Sequence, residues 1–278
     1  PLLGNPTTLT GKLLQDLGIT TGWIKMDPVD HFHLPDGTQF SVPADFDTYL
    51  SKLKDRFPRE SQALDQFFEH ARKAYLYGLL HYFRGRETAL LDPYRDLTVT
   101  QMLNRHFRNL KLKLLLTADC PHWGGPPSRT SFVFDSMLRL SYFLGNYYPK
   151  GGSQIFADEL AQQLVAHGGH ILMNTAVKRI VVEGGRACGV DIETGPIRRR
   201  TIKRVRAETV ISNADMLQTL EHWLGPEHVD PNLLTSIRAL KPTFSWFLTH
   251  IGLKGVPTET LRKIQGYYWD TWDPDEVG

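Results

Sequence analysis

Residues 147–190 read YYPKGGSQIFADELAQQLVAHGGHILMNTAVKRIVVEGGRACGV, and this block restricts the fold more than any other part of the chain. Gly151-Gly152 leads into an amphipathic run from Ile155 to His167, with Phe156, Leu160 and Leu164 on one stripe. Gly168-Gly169 follows as a helix stop. Ile171-Leu172-Met173 and Ala176 to Val182 then read as strands, and Gly184-Gly185 turns the chain into Ala187 to Ile192 as a hairpin. After a basic stretch, Glu208 to Ala214 reads as a buried strand running into a turn. A helix followed by strands in this order predicts the later part of a dinucleotide-binding α/β domain.

The chain before this block is predicted to be mainly helical. Residues 1–40 read as loops and short strands, with Pro35-Asp36-Gly37 as the turn of a β-hairpin. Asp45 is placed to cap a helix running to Arg56. Leu64, Phe67, Phe68, Ala71, Tyr75, Leu79 and Tyr82 recur at three- and four-residue steps, the clearest helix in the chain. Shorter helices are expected over 98–107, 111–117 and 132–144. Beyond the block, Met216 to Leu224 reads as a helix, Phe244 to Leu253 as an apolar strand, and Tyr267 to Trp272 as an aromatic edge strand.

Composition excludes several classes. The charge balance is 32 basic against 30 acidic residues, so no global basic field points to nucleic acid. Two distant cysteines, Cys120 and Cys188, rule out a disulfide scaffold and a four-cysteine zinc site, and suggest a reducing compartment. No apolar run has the 18 or more residues of a spanning helix. A cytoplasmic or membrane-peripheral location is the expectation. The first residue, Pro1, suggests an excised or processed piece.

The candidate chemistry lies in the glycine pairs and in the turn Ser212-Asn213-Ala214. Glycines entering a helix let backbone approach a ligand closely, and the helix N-terminus favours negative charge. A small-residue turn after an apolar strand leaves room for a flat cofactor, while the pattern alone reads equally as the ordinary caps and turns of an α/β sheet. Other groupings are weaker. His31 and His33 share one strand face without a third ligand nearby, which reads as a surface hairpin rather than a metal pair. Cys120-Pro121-His122 reads as a loop cysteine. The run Arg198 to Arg206 holds six basic residues in nine and reads as a solvated hairpin with Ile197, Ile202 and Val205 packed inward. It is also a candidate for peripheral contact with anionic lipid.

Tyr148 to Gly152, the helix up to Gly169, Asn174 to Ile180, Gly189-Val190 and Val210 to Ala214 together resemble the phytoene desaturase-like FAD-dependent oxidoreductases, a family of carotenoid desaturases, carotenoid isomerases and retinol saturases. Leu34 to Gly37, Phe57 to Glu60 and Gly125 to Pro127 lend weaker support. The resemblance implies an α+β fold: a partial FAD/NAD(P)-binding, Rossmann-like domain with a mixed sheet, and a helical substrate-binding domain. The implied regions are 1–148 for substrate, 149–215 for FAD, and 216–278 for substrate again. It also implies that Val177 holds the adenine ring through its backbone, that Ser212, Asn213 and Ala214 pass near the cofactor, and that Gly151 and Gly152 open the helix where the substrate cavity meets the flavin. The implied partner is an apolar polyene, carotenoid-like in the first instance. Dense aromatics at Phe67, Phe68, Tyr75, Tyr77, Tyr82, Phe83 and Phe107 would suit its tunnel, and plain helix packing accounts for most of them. No side chain stands out as an acid, base or nucleophile, since flavin carries the redox step in such enzymes.

The sequence also departs from the family. No GxGxxG occurs, although that motif cradles the FAD pyrophosphate. The expectation is an internal fragment of a longer FAD-dependent enzyme, one that does not retain FAD by itself. Two alternatives stand beside it: a flavin amine oxidase, and a non-enzymatic lipid-docking or interaction module.

Overall fold

A computed structural model describes residues 5, 7–86 and 89–276 of the chain. They form two compact units, Pro1–Gln163 with Thr243–Gly278, and Leu164–Pro242.

The first unit opens with helix α1 (Leu9–Asp16), capped by the Thr8 hydroxyl, which accepts the Gly11 N–H. Reading residues 1–40 as loops and strands missed it, because eight residues are too few to display a helical period. Strand β1 (Trp23–Lys25) comes next. The expected hairpin then forms from β2 (Asp30–His33) and β3 (Gln39–Val42), with Phe32 opposite Phe40. Its turn works as the residue types demand: Asp36 Oδ1 accepts the Thr38 N–H at 3.1 Å, and Gly37 takes a left-handed φ of 76°.

Helix α2 (Phe46–Arg56) starts where Asp45 accepts the Thr48 N–H at 2.8 Å. Helix α3 (Ser61–Arg84) buries Leu64, Phe67, Phe68, Ala71, Ala74 and Gly78 on one stripe and stops at left-handed Gly85. The short α4 (Asp92–Arg95) precedes α5 (Val99–His106), which carries a capping box between Thr98 and Gln101. Then come α6 (Leu110–Leu115) and α7 (Phe132–Tyr142). Strand β4 (Tyr147–Pro149) pairs antiparallel with β1, and α8 (Ser153–Ala166) follows.

The core of this unit is an aromatic cluster between α2, α3, α5 and α7. Phe67 sits edge-on to Phe68 at 5.3 Å and packs against Phe107 at 5.5 Å and Phe132 at 5.8 Å. Helix packing therefore accounts for Phe67, Phe68 and Phe107, whereas Tyr82 and Phe83 are exposed. Helices α3 and α7 approach closely because Gly78 has no side chain. A Cβ built there would lie 2.6 Å from Met137 Sδ and 2.8 Å from Val133 Cγ1.

The second unit is built on an antiparallel sheet in the order β5 (Ala176–Glu183), β6 (Arg186–Thr194) and β7 (Thr201–Arg206). The β5–β6 hairpin turns at Gly184-Gly185 as expected. Residues Gln218–Leu224 wind as a π-helical turn. Helix α9 (Pro231–Arg238), capped by Asp230, is tied to that turn by Arg238 on Glu221 at 2.5 Å. The chain then returns to the first unit through α10 (Thr258–Ile264) and β8 (Tyr267–Tyr268), which adds to β2 in parallel.

Three expected strands do not form. Residues 171–173, 208–214 and 244–253 carry no strand pairing among the described residues. Met173, Ile211 and Phe247 are 77%, 90% and 93% exposed, so the apolar character that suggested burial finds no cover here. A strand needs a ladder partner, and an apolar run alone does not supply one. The arrangement is α+β, with three small sheets among the described residues.

Gly78→Val should overpack the α3–α7 contact and destabilise the chain by about 1–3 kcal/mol. Urea unfolding should show a lower midpoint at unchanged slope. An unchanged midpoint would contradict the close approach.

Candidate functional site

Strand β8 and the residue after it build an aromatic pocket in the first unit. The Trp269 N–H donates to the His33 carbonyl at 2.9 Å, and its indole Nε1–H donates to the Ala118 carbonyl at 3.1 Å. Tyr267 packs edge-on to Phe32 at 5.9 Å. Tyr268 stacks on the His33 ring at 4.0 Å and donates its hydroxyl to the Ile264 carbonyl at 2.7 Å. With Phe244 and Trp246 these rings enclose about 360 Å³, and the exposed carboxylates of Asp270 and Glu276 stand on the rim. The volume is at the small end of the range for organic ligands, and the wall is mostly aromatic faces. The expected edge strand at 267–272 is thus realised over its first two residues, as one wall of a cavity.

Behind this pocket lies a buried ion cluster. The Arg139 guanidinium grips Asp135 with two hydrogen bonds, Nε at 3.1 Å and Nη2 at 2.9 Å. Its Nη2 also lies 2.8 Å from Asp119 Oδ1, although no N–H is aligned on that oxygen. The Trp123 indole N–H donates to Asp135 at 3.0 Å, and the Cys120 thiol donates to the same oxygen at 3.5 Å. All of these except Trp123 are buried. Burial pushes the Asp119 carboxyl up, with Arg139 pulling it back down. Burial also drives the Cys120 thiol well above the ordinary thiol range. The loop cysteine of the sequence reading is therefore a core residue whose thiol faces Asp135 and Arg139.

The second unit carries a two-faced sheet. On one face Arg179, Asp191 and Arg204 stand side by side, with Arg204 Nε at 2.8 Å and Arg179 Nη2 at 2.9 Å from Asp191. Hydrogen bonding from Arg204 first, then from Arg179, holds the Asp191 carboxyl down at about 2. Arg200 pairs with Glu193 and Arg206 with Glu183. Half of the basic run 198–206 is thus neutralised by its own sheet. Strand β7 is exposed along its whole length. Ile202 is 59% exposed, which corrects the expectation that it packs inward; the side chain of Ile197 lies outside the described residues.

The opposite face of this sheet lines a cavity of about 300 Å³ with Val177, Ile180, Val190, Val205, Ser212 and Trp223. Val177 lies on β5 opposite Ile192, just before an irregularity in the ladder. Val177 and Ser212, expected near one cofactor from positions 35 residues apart, share this cavity. Asn213 and Ala214 continue beyond it as exposed backbone, with the Ala214 N–H on Ser212 Oγ at 3.4 Å. Gly151 and Gly152 lie in the first unit at the start of α8, with left-handed φ of 92° and 103°.

For FAD the fit is partial. The cavity beside Val177 has the apolar lining and size for a flat heterocycle such as adenine. Its lining holds no basic side chain, and the sequence has no glycine-rich pyrophosphate cradle. The lining would suit a flat apolar ring and offers no cationic side chain to a pyrophosphate.

His31 Nδ1 lies 2.8 Å from Ser41 Oγ, and His33 Nε2 lies 3.1 Å from the Gln265 carbonyl. Among the described residues no cluster of three His, Cys, Asp or Glu is placed to hold a metal, and no helix is long and apolar enough to cross a membrane. Sequence reasoning missed the aromatic pocket and the ion cluster. The i,i+4 spacing of Asp135 and Arg139, and the run Tyr267-Tyr268-Trp269, were the only local signals for them.

A family model for flavin containing amine oxidoreductases matches residues 10–239. The chain is 28% identical to the all-trans-retinol 13,14-reductase of Rattus norvegicus, over 79% of this chain and 38% of that protein. It is 26% identical to the neurosporene-forming phytoene desaturase of Cereibacter sphaeroides, over 90% of this chain and 51% of that protein. A chloroplastic prolycopene isomerase 1 from an Oncidium hybrid cultivar is also 26% identical, over 83% of this chain and 41% of its own length. The chain therefore spans about half, or less, of each of these relatives.

Arg139→Ala should destabilise the first unit by about 3–5 kcal/mol, because two buried carboxylates lose their counter-charge. In the wild type a thiol reagent should label Cys188 readily and Cys120 only after unfolding. Rapid native labelling of both thiols would contradict the buried cluster.

Proposed function

The chain belongs to the flavin containing amine oxidoreductase family, and on that premise we propose that it is part of an FAD-dependent oxidoreductase acting on a conjugated isoprenoid. Residues 149–215 then belong to a partial Rossmann-like FAD-binding region; Val177, Ser212, Asn213 and Ala214 are its cofactor residues in the second unit, and Gly151 and Gly152, at the start of α8 in the first, are assigned to it by the family resemblance. Residues 1–148 and 216–278 belong to the substrate-binding region. The observation that carries the cofactor half is the shared cavity of Val177 and Ser212, two residues that the family resemblance alone had assigned to FAD. Redox chemistry would be the cofactor's, and the protein's part is to bind, orient and exclude water.

For the substrate, the aromatic pocket offers Trp246, Tyr267, Tyr268 and Trp269 as faces for a conjugated chain or ring. The relatives are a reductase, a desaturase and an isomerase, so the direction of reaction does not transfer from similarity. One observation favours an amine instead: Asp270 and Glu276 stand beside aromatic faces, an arrangement that attracts an organic cation. Both carboxylates are exposed, however, and water screens them.

Titration with all-trans-retinol and with benzyltrimethylammonium, followed by tryptophan fluorescence, separates the two readings. The polyene should quench saturably and bind about tenfold more weakly to Trp246→Ala, the loss of one aromatic contact. Saturation by the ammonium ion alone would overturn the isoprenoid reading in favour of an amine. Separately, the purified chain should show no stoichiometric visible flavin absorbance. A full flavin band would contradict the partial fit at the pyrophosphate.

A further inference from the structure

The ion cluster holds more negative charge than its one cation neutralises. Arg139 satisfies Asp135 through two hydrogen bonds and touches Asp119 with the same Nη2. A third carboxylate, Asp30 of β2, lines a small cavity with Asp119, Arg139, Tyr49 and Tyr142. That cavity measures about 10 Å³, the lower limit for one water molecule. The Asp30 side chain is half-buried, and its carboxylate has no ion pair or hydrogen bond among the described residues. Two carboxyl groups facing one small cavity, with half a guanidinium between them, cannot both ionise cheaply.

The same turn anchors the aromatic pocket. Ala118, directly before Asp119, accepts the Trp269 indole N–H, and Pro121, directly after Cys120, forms part of the pocket wall. On the other side, β2 carries Asp30 and also pairs with β8, whose Tyr267 and Tyr268 form the facing wall. The Pro121 side of the pocket is therefore joined along the chain to Asp119, and the Tyr267–Tyr268 side is joined by strand pairing to the strand that carries Asp30.

We propose that Asp30 and Asp119 do not ionise together, one of the two staying protonated, and that release of that proton to solvent at rising pH loosens the two sides of the aromatic pocket to which they are joined. The groups facing this pair are Tyr49 from α2, Cys120 from the turn, Asp135, Arg139 and Tyr142 from α7, and Tyr267 from β8. Only Arg139 among them is cationic. The tyrosines and the thiol are pushed upward, mainly by burial, and stay neutral. Burial, then the charge of Asp119, raises the Asp30 carboxyl to about 7. The two groups titrate as a pair, so the value belongs to the pair. A carboxyl raised in the folded state stabilises it fully below the ordinary carboxylate range. That contribution declines as pH rises to about 7 and changes no further above it. This inference does not depend on flavin or on the identity of the substrate.

The test is an NMR titration of the wild-type chain with carboxyl-labelled aspartate and labelled tryptophan, the Trp269 indole being assigned by its loss in Trp269→Phe. One aspartate carboxyl should titrate near neutrality, and the Trp269 indole N–H should shift with the same midpoint. In Asp30→Asn, a near-isosteric change, both transitions should vanish. A pH-independent indole signal in the wild type would overturn the proposal, whether or not the variant folds. So would an indole transition that persists unchanged in Asp30→Asn.

Discussion

A guanidinium taken out of water must be paired, or the fold does not form, and Arg139 imposes that demand on the first unit. Moving such an ion inside costs several kcal/mol even after relaxation, and the cost is recovered only through good geometry. Asp135 supplies part of that geometry from the preceding turn of α7. Asp119 must come from a different segment, so the stretch 117–123 has to fold against α7. Once it does, Ala118 presents its carbonyl to Trp269, and Pro121 takes its place in the pocket wall. The aromatic pocket is a consequence of how one buried charge is satisfied.

The second unit solves a simpler problem. Its sheet puts charges on one face, where Asp191 neutralises arginines from both neighbouring strands and Glu193 pairs with Arg200 just before β7. The other face is left apolar, and the segment after β7 crosses it to close a cavity. Half of a basic run that looks in the sequence like a surface for anions is one side of an internal charge ladder. Arg200, Arg204 and Arg206 spend their charge within the sheet and its edge, while Arg198, Arg199 and Lys203 carry no ion pair among the described residues.

What could be read from the sequence was local. Asp45 caps α2, Pro35-Asp36-Gly37 turns the first hairpin, and the stripe from Leu64 to Ala71 becomes the buried face of α3, because each signal acts over a few residues. The family resemblance likewise rested on a contiguous block, and the family match over residues 10–239 agrees with it. The ion cluster was not legible, since Asp30, Asp119 and Arg139 are brought together only by tertiary folding. Apolar runs at 171–173, 208–214 and 244–253 were read as strands on hydrophobicity alone. Strand formation also needs a partner, and that information is not in the run itself.

If the ion cluster anchors the pocket, the pocket wall is held as firmly as the buried charge behind it. Native-state hydrogen exchange of the Trp269 indole and backbone N–H groups, compared with the amide of Arg139 in α7 at mildly acid pH, measures this directly. Both Trp269 groups should exchange only through the opening that also exposes α7, with the same free energy. Exchange of the Trp269 groups many-fold faster than α7, through a separate local opening, would show that the pocket is not anchored to the cluster.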